Sequence, residues 1–222
     1  GVIVTNNDPA DFTELGPLFD VILTDVPCSG EGMFRKDEVA VQEWSIENVD
    51  TCWQRQRRIL RDIWPCLKTG GLLVYSTCTY NREENEDNVA WIAQELGAEV
   101  LPLEMQPDWR ITGNLIGTEF SVYRFLPHKT TGEGLFMAVL RKTADEPAVN
   151  VRTKTGGKAS KKGKGGKVVA LQVPKEMKAW VQGAGDYVFE VNDSEAMAFP
   201  AAYKDTYDLL KSQLRILHAG IS

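Results

Sequence analysis

Leu72 to Glu86 reads LLVYSTCTYNREENE, and its two halves follow different periods. Leu72, Leu73, Val74 and Tyr75 show no alternation of apolar and polar residues, which predicts a strand buried on both faces of a parallel sheet. The strand gives way to Ser76-Thr77-Cys78-Thr79-Tyr80. A helix is expected from about Arg82 to Leu96, with Asn81 as N-cap and Glu84 completing a capping box. Cys78 then falls in the loop between strand and helix, at the carboxyl edge of the sheet, where open α/β sheets bind ligands.

Taken alone, a cysteine in a Ser/Thr-rich turn is more often a small buried hydrophobe than a nucleophile. A second stretch changes the balance. Phe19 to Phe34, FDVILTDVPCSGEGMF, repeats the design: Val21, Ile22 and Leu23 form an apolar strand, Asp25 follows, and Pro27-Cys28-Ser29-Gly30 makes the loop. Neighbouring strands lie about 4.8 Å apart. Cys28, Cys78 and Asp25 are therefore expected to face one crevice.

The rest of the chain fits an α/β domain. Val2 to Thr5 reads as a strand ending at Asn6-Asn7-Asp8-Pro9, where Asp8 is either a helix cap or turn former, which the local sequence favours, or a carboxylate that holds a ligand hydroxyl or amine. Ile46 to Leu67 reads as a long helix, with Val49, Cys52, Trp53, Gln56, Ile59, Leu60 and Ile63 inward and Arg55, Arg57, Arg58 and Arg61 outward. Pro65 is expected to interrupt its last turn and Gly70-Gly71 to close it. Phe120 to Leu126 and Leu135 to Lys142 form a hairpin through Pro127 to Gly134. Strands alternating with helices and ending in a hairpin argue for a mostly parallel sheet.

Composition sets the outer bounds. The 222 residues are 43% apolar and 25% charged, which suits one or two globular domains. No apolar run reaches about 18 residues, so no membrane span is expected, and the strand-like opening is not a signal peptide. Cys28, Cys52, Cys66 and Cys78 contain no C-x-x-C pair, and the chain has two histidines. A metal site is not expected, and a reducing cytoplasm suits the thiols.

Charge is unevenly spread. Arg152 to Lys167 carries seven basic residues, five glycines and no acid, whereas the whole chain has a net charge of −6. A Gly/Lys tract cannot build a core, so residues 145–167 read as a linker, either a solvated spacer or a phosphate contact. Residues 1–144 then form the first domain. Residues 168–222 begin a small α+β module, with strands at Val168–Val173, Tyr187–Val191 and Leu214–Leu217 and helices at Lys175–Gln182 and Pro200–Ser212.

D-V-P-C-S-G-E-G-M-F from Asp25 and S-T-C-T-Y-N-R-E-E-N-E from Ser76 together resemble the Sun-type RNA cytosine-C5 methyltransferases, and more closely their bacterial RsmF-like branch. The Pro127-His128…Gly132-Glu-Gly-Leu-Phe-Met-Ala hairpin is similar to that family's last sheet motif. The resemblance covers about Val2 to Lys142. It implies a Rossmann-like methyltransferase sheet, S-adenosylmethionine as cofactor and RNA, here ribosomal RNA, as partner. Cys78 takes the place of the nucleophile and Cys28 that of the second cysteine, which assists product release. Asp8 and Asp25 take the places of cofactor contacts. The small module is similar to the family's RNA-binding appendage. The family's glycine-rich cofactor loop follows its first strand and no such loop precedes Val2 here, so a strand with that loop is expected upstream of Gly1.

The implied chemistry is coherent. Cytosine C5 is a poor nucleophile until a thiolate adds at C6 and turns the ring into an enamine. A free thiol has a pKa near 8.5, and a helix N-terminus just beyond Cys78 is expected to favour its thiolate. The target base must leave its stack. Phe34 and Tyr80 could support it there, although ordinary packing accounts for each more simply. Two other functions use the same residues: a DNA cytosine-C5 methyltransferase with Cys28 as nucleophile, and a non-catalytic RNA-binding assembly factor.

Overall fold

The computed structural model describes residues 2–143, 178–191 and 196–221. The basic tract Arg152–Lys167, the expected strand Val168–Val173 and the start of the expected helix at Lys175 lie outside them. The described residues form two compact units, one of residues 12–143 and one of residues 2–11 with 178–191 and 196–221. The strands are β1 (Val2–Thr5), β2 (Phe19–Asp25), β3 (Leu67–Thr77), β4 (Ala98–Val100), β5 (Tyr123–Phe125), β6 (Leu135–Lys142), β7 (Tyr187–Val191), β8 (Ala196–Pro200) and β9 (Ile216–Gly220). The α-helices are α1 (Glu38–Glu43), α2 (Ile46–Ile63), α3 (Glu86–Glu95) and α4 (Lys204–Gln213).

In the larger unit β2 and β3 run parallel, with Ile22 opposite Leu73 and Asp25 opposite Ser76. β6 is antiparallel to β3, and β4 and β5 pair with β6 in turn. The unit is α/β, but its sheet is mixed and not mostly parallel as expected, because β6 enters beside β3 in the opposite direction and β4 and β5 pair antiparallel with it. Helix α2 starts at Ser45, whose hydroxyl accepts from the Asn48 N–H at 3.0 Å. Its buried residues Val49, Cys52, Gln56 and Leu60 recur at helical spacing and face the sheet. Leu60 and Trp64 pack with Val89 and Ile92 of α3, Leu73 and Tyr75 of β3, and Phe136 and Leu140 of β6. Each such side chain contributes about 1.5–3 kcal/mol by leaving water. Lys142, almost wholly buried, donates to the Trp64 and Leu67 carbonyls at 3.1 and 2.7 Å and so caps the chain where α2 ends.

Four further expectations are corrected here. The long helix stops at Ile63, because Pro65 has no N–H with which to extend it, and Leu67 already belongs to β3. Gly70-Gly71 closes no helix. It forms an excursion within β3, since Phe19 pairs with Leu67 while Val21 pairs with Leu72. A Cβ at Gly71 would stand 2.8 Å from Leu67 Cδ1 and 2.9 Å from the Asp20 carbonyl oxygen, so no larger residue fits. Arg57 does not point outward. Its guanidinium lies 4.5 Å from the Trp53 ring and 5.3 Å from that of Trp91, and its Nε donates to Asn88 Oδ1 at 2.8 Å.

The last of the four concerns burial. Leu73 and Tyr75 are fully buried, but on the opposite face Val21 is 55% and Leu23 70% exposed. Among the described residues, α-helices cover one face of β2.

The smaller unit reassigns β1. Residues Val2–Thr5 lie outside the larger unit and pair antiparallel with β9, Val2 opposite Gly220 and Val4 opposite His218. β7 pairs with β8, and Ala198 bridges to Ile221. Phe199 and Tyr207 stack at 4.9 Å over Ala219, with Ile3 packed beside them. A strand needs a partner for its N–H and C=O groups, and β9 supplies it here. The sequence of Val2–Thr5 carries no mark of which partner it takes.

Candidate active site

The parallel pairing of β2 and β3 sets their two carboxyl-end loops side by side. Cys28 Sγ and Cys78 Sγ stand 3.0 Å apart, which makes the thiols a hydrogen-bonded pair. Cys78 is lowered to about 7, first by the hydrogen bond from Cys28, while burial and the negative charges of Asp25 and Glu84 act against this. Cys28 is raised far above the ordinary thiol value, first by donating to Cys78, then by burial and the Cys78 charge. The two shifts favour keeping the proton on Cys28, so Cys78 is the sulfur that ionises above about pH 7, and the thiolate is the form in which sulfur attacks carbon.

Helix α3 starts at Glu86 and not near Arg82. Its N-cap residue Asn85 nevertheless binds both neighbours of Cys78, accepting from Thr77 Oγ1 at 2.6 Å and donating to the Thr79 carbonyl at 3.0 Å. Residues Asn81 to Asn85 form turns instead. Asn81 Oδ1 accepts from the Glu84 N–H at 2.9 Å, so half of the expected capping box forms.

The loops are fastened to each other and to the core. The Gly32 N–H donates to the Cys78 carbonyl at 2.8 Å, and a Cβ at Gly32 would overlap that oxygen, so glycine alone allows this approach. Glu31 accepts from the N–H groups of Tyr80 and Asn81 at 2.6 and 2.9 Å, from Asn81 Nδ2 at 3.1 Å and from Trp44 Nε1 at 3.1 Å. Burial opposes the charge on Glu31, but hydrogen bonds from Thr79, Asn81, the Tyr80 amide and Trp44 outweigh it and hold the carboxyl below its usual range.

Beneath the loops, Glu84 is fully buried and accepts from the Ser29 N–H at 3.1 Å and from Gln56 Nε2 at 2.6 Å. Gln56 Nε2 also donates to the Pro27 carbonyl at 2.9 Å, and Gln56 Oε1 accepts from Tyr75 Oη at 3.0 Å. Arg124 of β5 donates to the Tyr80 carbonyl at 3.0 Å and pairs with fully buried Glu86 at 2.5 Å.

Of the four residues singled out in the sequence, three meet in the larger unit: Cys28, Cys78 and Asp25, the last exposed at the end of β2. Asp8 belongs to the smaller unit and forms a turn, its Oδ1 accepting from the Ala10 N–H at 3.1 Å. Tyr80 Oη donates to the Glu133 carbonyl, which accounts for Tyr80 as packing, whereas Phe34 is partly exposed and meets Trp44 edge-on at 6.5 Å. Glu31, Gln56 and Arg124 were not foreseen as parts of the site. Gln56 left one signal, a polar residue inside the apolar stripe of α2. Among the described residues no group of His, Cys, Asp and Glu is arranged to hold a metal, and no helix is long and apolar enough to cross a membrane.

Residues 1–141 match the family described as 16S rRNA methyltransferase RsmB/F. The chain is 31% identical over 213 residues to the ribosomal RNA small subunit methyltransferase F of Vibrio cholerae, covering 91% of this chain and 42% of that protein. It is 42% identical over 135 residues to the protein of the same name from Escherichia coli strain HS, covering 60% of this chain and 27% of that one. The chain thus spans less than half the length of these relatives. Among solved structures it resembles NSun6 from Pyrococcus horikoshii with SFG, at 32% identity and a TM-score of 0.51, over 63% of this chain and 34% of that one. The mixed α/β sheet agrees with a Rossmann-like methyltransferase fold.

Proposed function

Since the chain belongs to the 16S rRNA methyltransferase RsmB/F family, we propose that it carries the thiol half of an RNA cytosine-C5 methyltransferase acting on ribosomal RNA in the cytoplasm. The observation that supports this most is the 3.0 Å contact between Cys28 and Cys78. The Cys78 thiolate adds to cytosine C6, which makes C5 a carbon nucleophile. S-adenosylmethionine, when bound, supplies the methyl group. Loss of the C5 proton to a base then expels Cys78 as a thiolate. The S–H of Cys28, at hydrogen-bond distance, stabilises that leaving sulfur, so attack and release fall to different cysteines.

Asp25 suits a cofactor contact, being an exposed carboxylate at the strand end where such ligands lie. Asp8 is assigned a cofactor contact by the resemblance, and its carboxylate also serves its own turn. The SFG in the Pyrococcus structure is an analogue of S-adenosylmethionine, which supports the choice of cofactor.

The test uses the full-length protein and RNA containing the target cytosine. Cys78→Ala should abolish both methyl transfer and the covalent protein–RNA adduct. Cys28→Ala should let the adduct persist, release slowing about 10- to 100-fold for one lost hydrogen bond to a charged sulfur. An adduct that survives Cys78→Ala and vanishes with Cys28→Ala would reverse the two roles, as in a DNA-type enzyme. Methyl transfer by neither the wild type nor any variant would favour a binding or assembly role.

A further inference from the structure

In a self-contained capping box, the acid three places after the cap returns its carboxylate to the cap's own N–H. Here the two cysteine loops have exchanged carboxylates. The Asn81 N–H is taken by Glu31 from the Cys28 loop, together with the Tyr80 N–H. Glu84 follows Cys78 in the chain and should have held the Asn81 N–H, but it accepts instead from the N–H of Ser29, the residue after Cys28. Each loop thus carries the acid that satisfies backbone donors of the other. Asn81 Nδ2 donates to both acids, at 3.1 Å to Glu31 and 2.8 Å to Glu84, and joins the exchange at its centre.

The two acids are not equivalent. Glu84 is rooted in the buried network with Gln56 and reaches up to Ser29. Glu31 is half-buried at the surface and lies in the same short loop as Cys28. Its two backbone partners, Tyr80 and Asn81, directly follow Thr79 on the Cys78 loop. Other links between the loops are neutral, such as Ser29 Oγ with Thr79 Oγ1 at 3.1 Å. The Gly32 N–H to the Cys78 carbonyl, at 2.8 Å, is another. The Glu31 carboxylate, held by four N–H donors, adds charge-assisted bonds, each roughly twice as strong as a neutral one.

We propose that Glu31 is a positioning residue: its carboxylate, carried on the Cys28 loop, grips the Tyr80 and Asn81 amides and so sets the separation of the two sulfurs. The purpose of that separation rests on the methyltransferase reading, but the grip itself does not. Without the carboxylate, the Tyr80 and Asn81 N–H groups turn to water and the Cys78 loop relaxes. Cys28 S–H then loses its reach to Cys78, and displacements of about 1 Å at a reacting group cost up to 100-fold in rate.

The test reads the sulfur separation directly. Diamide takes two electrons from a close thiol pair, leaving a disulfide and its own hydrazine form, and peptide mapping counts the Cys28–Cys78 link. In the full chain, Glu31→Ala should slow this cross-linking at least about 10-fold. Glu31→Gln keeps one acceptor oxygen but sets an NH₂ against the other donors, and it should fall between Ala and wild type. In the full-length enzyme, kcat for methyl transfer should drop in the same order while KM for RNA stays within about twofold. Cross-linking at the wild-type rate in both variants would overturn the proposal. If Glu31→Ala does not fold, Glu31→Gln decides by the same criterion. Cross-linking needs no RNA, so a failed adduct experiment beside slowed cross-linking counts against the methyltransferase reading and leaves the grip standing.

Discussion

The Cys28 and Cys78 sulfurs form a hydrogen-bonded pair, and that bond acts against burial and the nearby charges in deciding which sulfur ionises. Asp25 and Glu84 both disfavour a second negative charge near Cys78, yet the hydrogen bond from Cys28 outweighs them and lowers Cys78 to about 7. The sign of the pH dependence follows. Below about pH 7 the Cys78 thiol is protonated and inert, and reactivity rises as pH passes through that value. Labelling with iodoacetamide, read at Cys78 by mass spectrometry, should therefore show a midpoint near pH 7. Removing the donor with Cys28→Ala should move the midpoint upward, toward the free-thiol value of about 8.5. An unmoved midpoint would show that Cys28 is not the cause.

Among elements, β5 contributes little to the sheet by length but anchors the Cys78 loop. Its Arg124 is buried against Glu86 at the start of α3 and also holds the Tyr80 carbonyl. Breaking a buried pair from one side leaves a charge without compensation, which costs about 3–5 kcal/mol. Urea denaturation of Arg124→Ala should show a loss of that size. Replacing both partners by apolar residues, Arg124→Met with Glu86→Leu, should recover most of it, because no buried charge remains. A loss under about 1 kcal/mol in Arg124→Ala would mean that this pair does not anchor the loop.

Across the whole molecule, charge is the property that composition and fold divide between them. The seven bases of Arg152–Lys167 stand in a chain whose remainder has a net charge of −13. If they meet RNA phosphates, replacing Lys158, Lys161, Lys162 and Lys164 by Ser should flatten the plot of log K against log salt. Each lost contact should reduce the slope by about 0.7–0.9. Preference among RNA sequences should not change, because phosphate contacts carry no base information. Titrating one ribosomal RNA fragment at several salt concentrations checks this, and equal slopes would assign the lysines to solubility alone.

The sequence by itself determined the parallel pair β2 and β3, their cysteine loops, and the apolar stripe of α2. Those features are local: a run of apolar residues or a 3.6-residue period is written in consecutive positions. It also identified Cys28, Cys78 and Asp25 as neighbours, because equal strand-loop designs in adjacent strands end at one sheet edge. The tertiary structure alone decided that Cys28 stands within hydrogen-bond distance of Cys78, that Glu31 and Glu84 serve each other's loops, and that Val2–Thr5 pairs with Ile216–Gly220. Asn81 illustrates the reason. Its own sequence neighbours predict a capping box, but a donor takes the nearest well-aligned acceptor in space, and for its N–H that acceptor lies 50 residues away in the chain. Hydrogen bonds and shared protons are settled by distances of about 3 Å, and such distances between remote residues exist only once the sheet has brought the loops together.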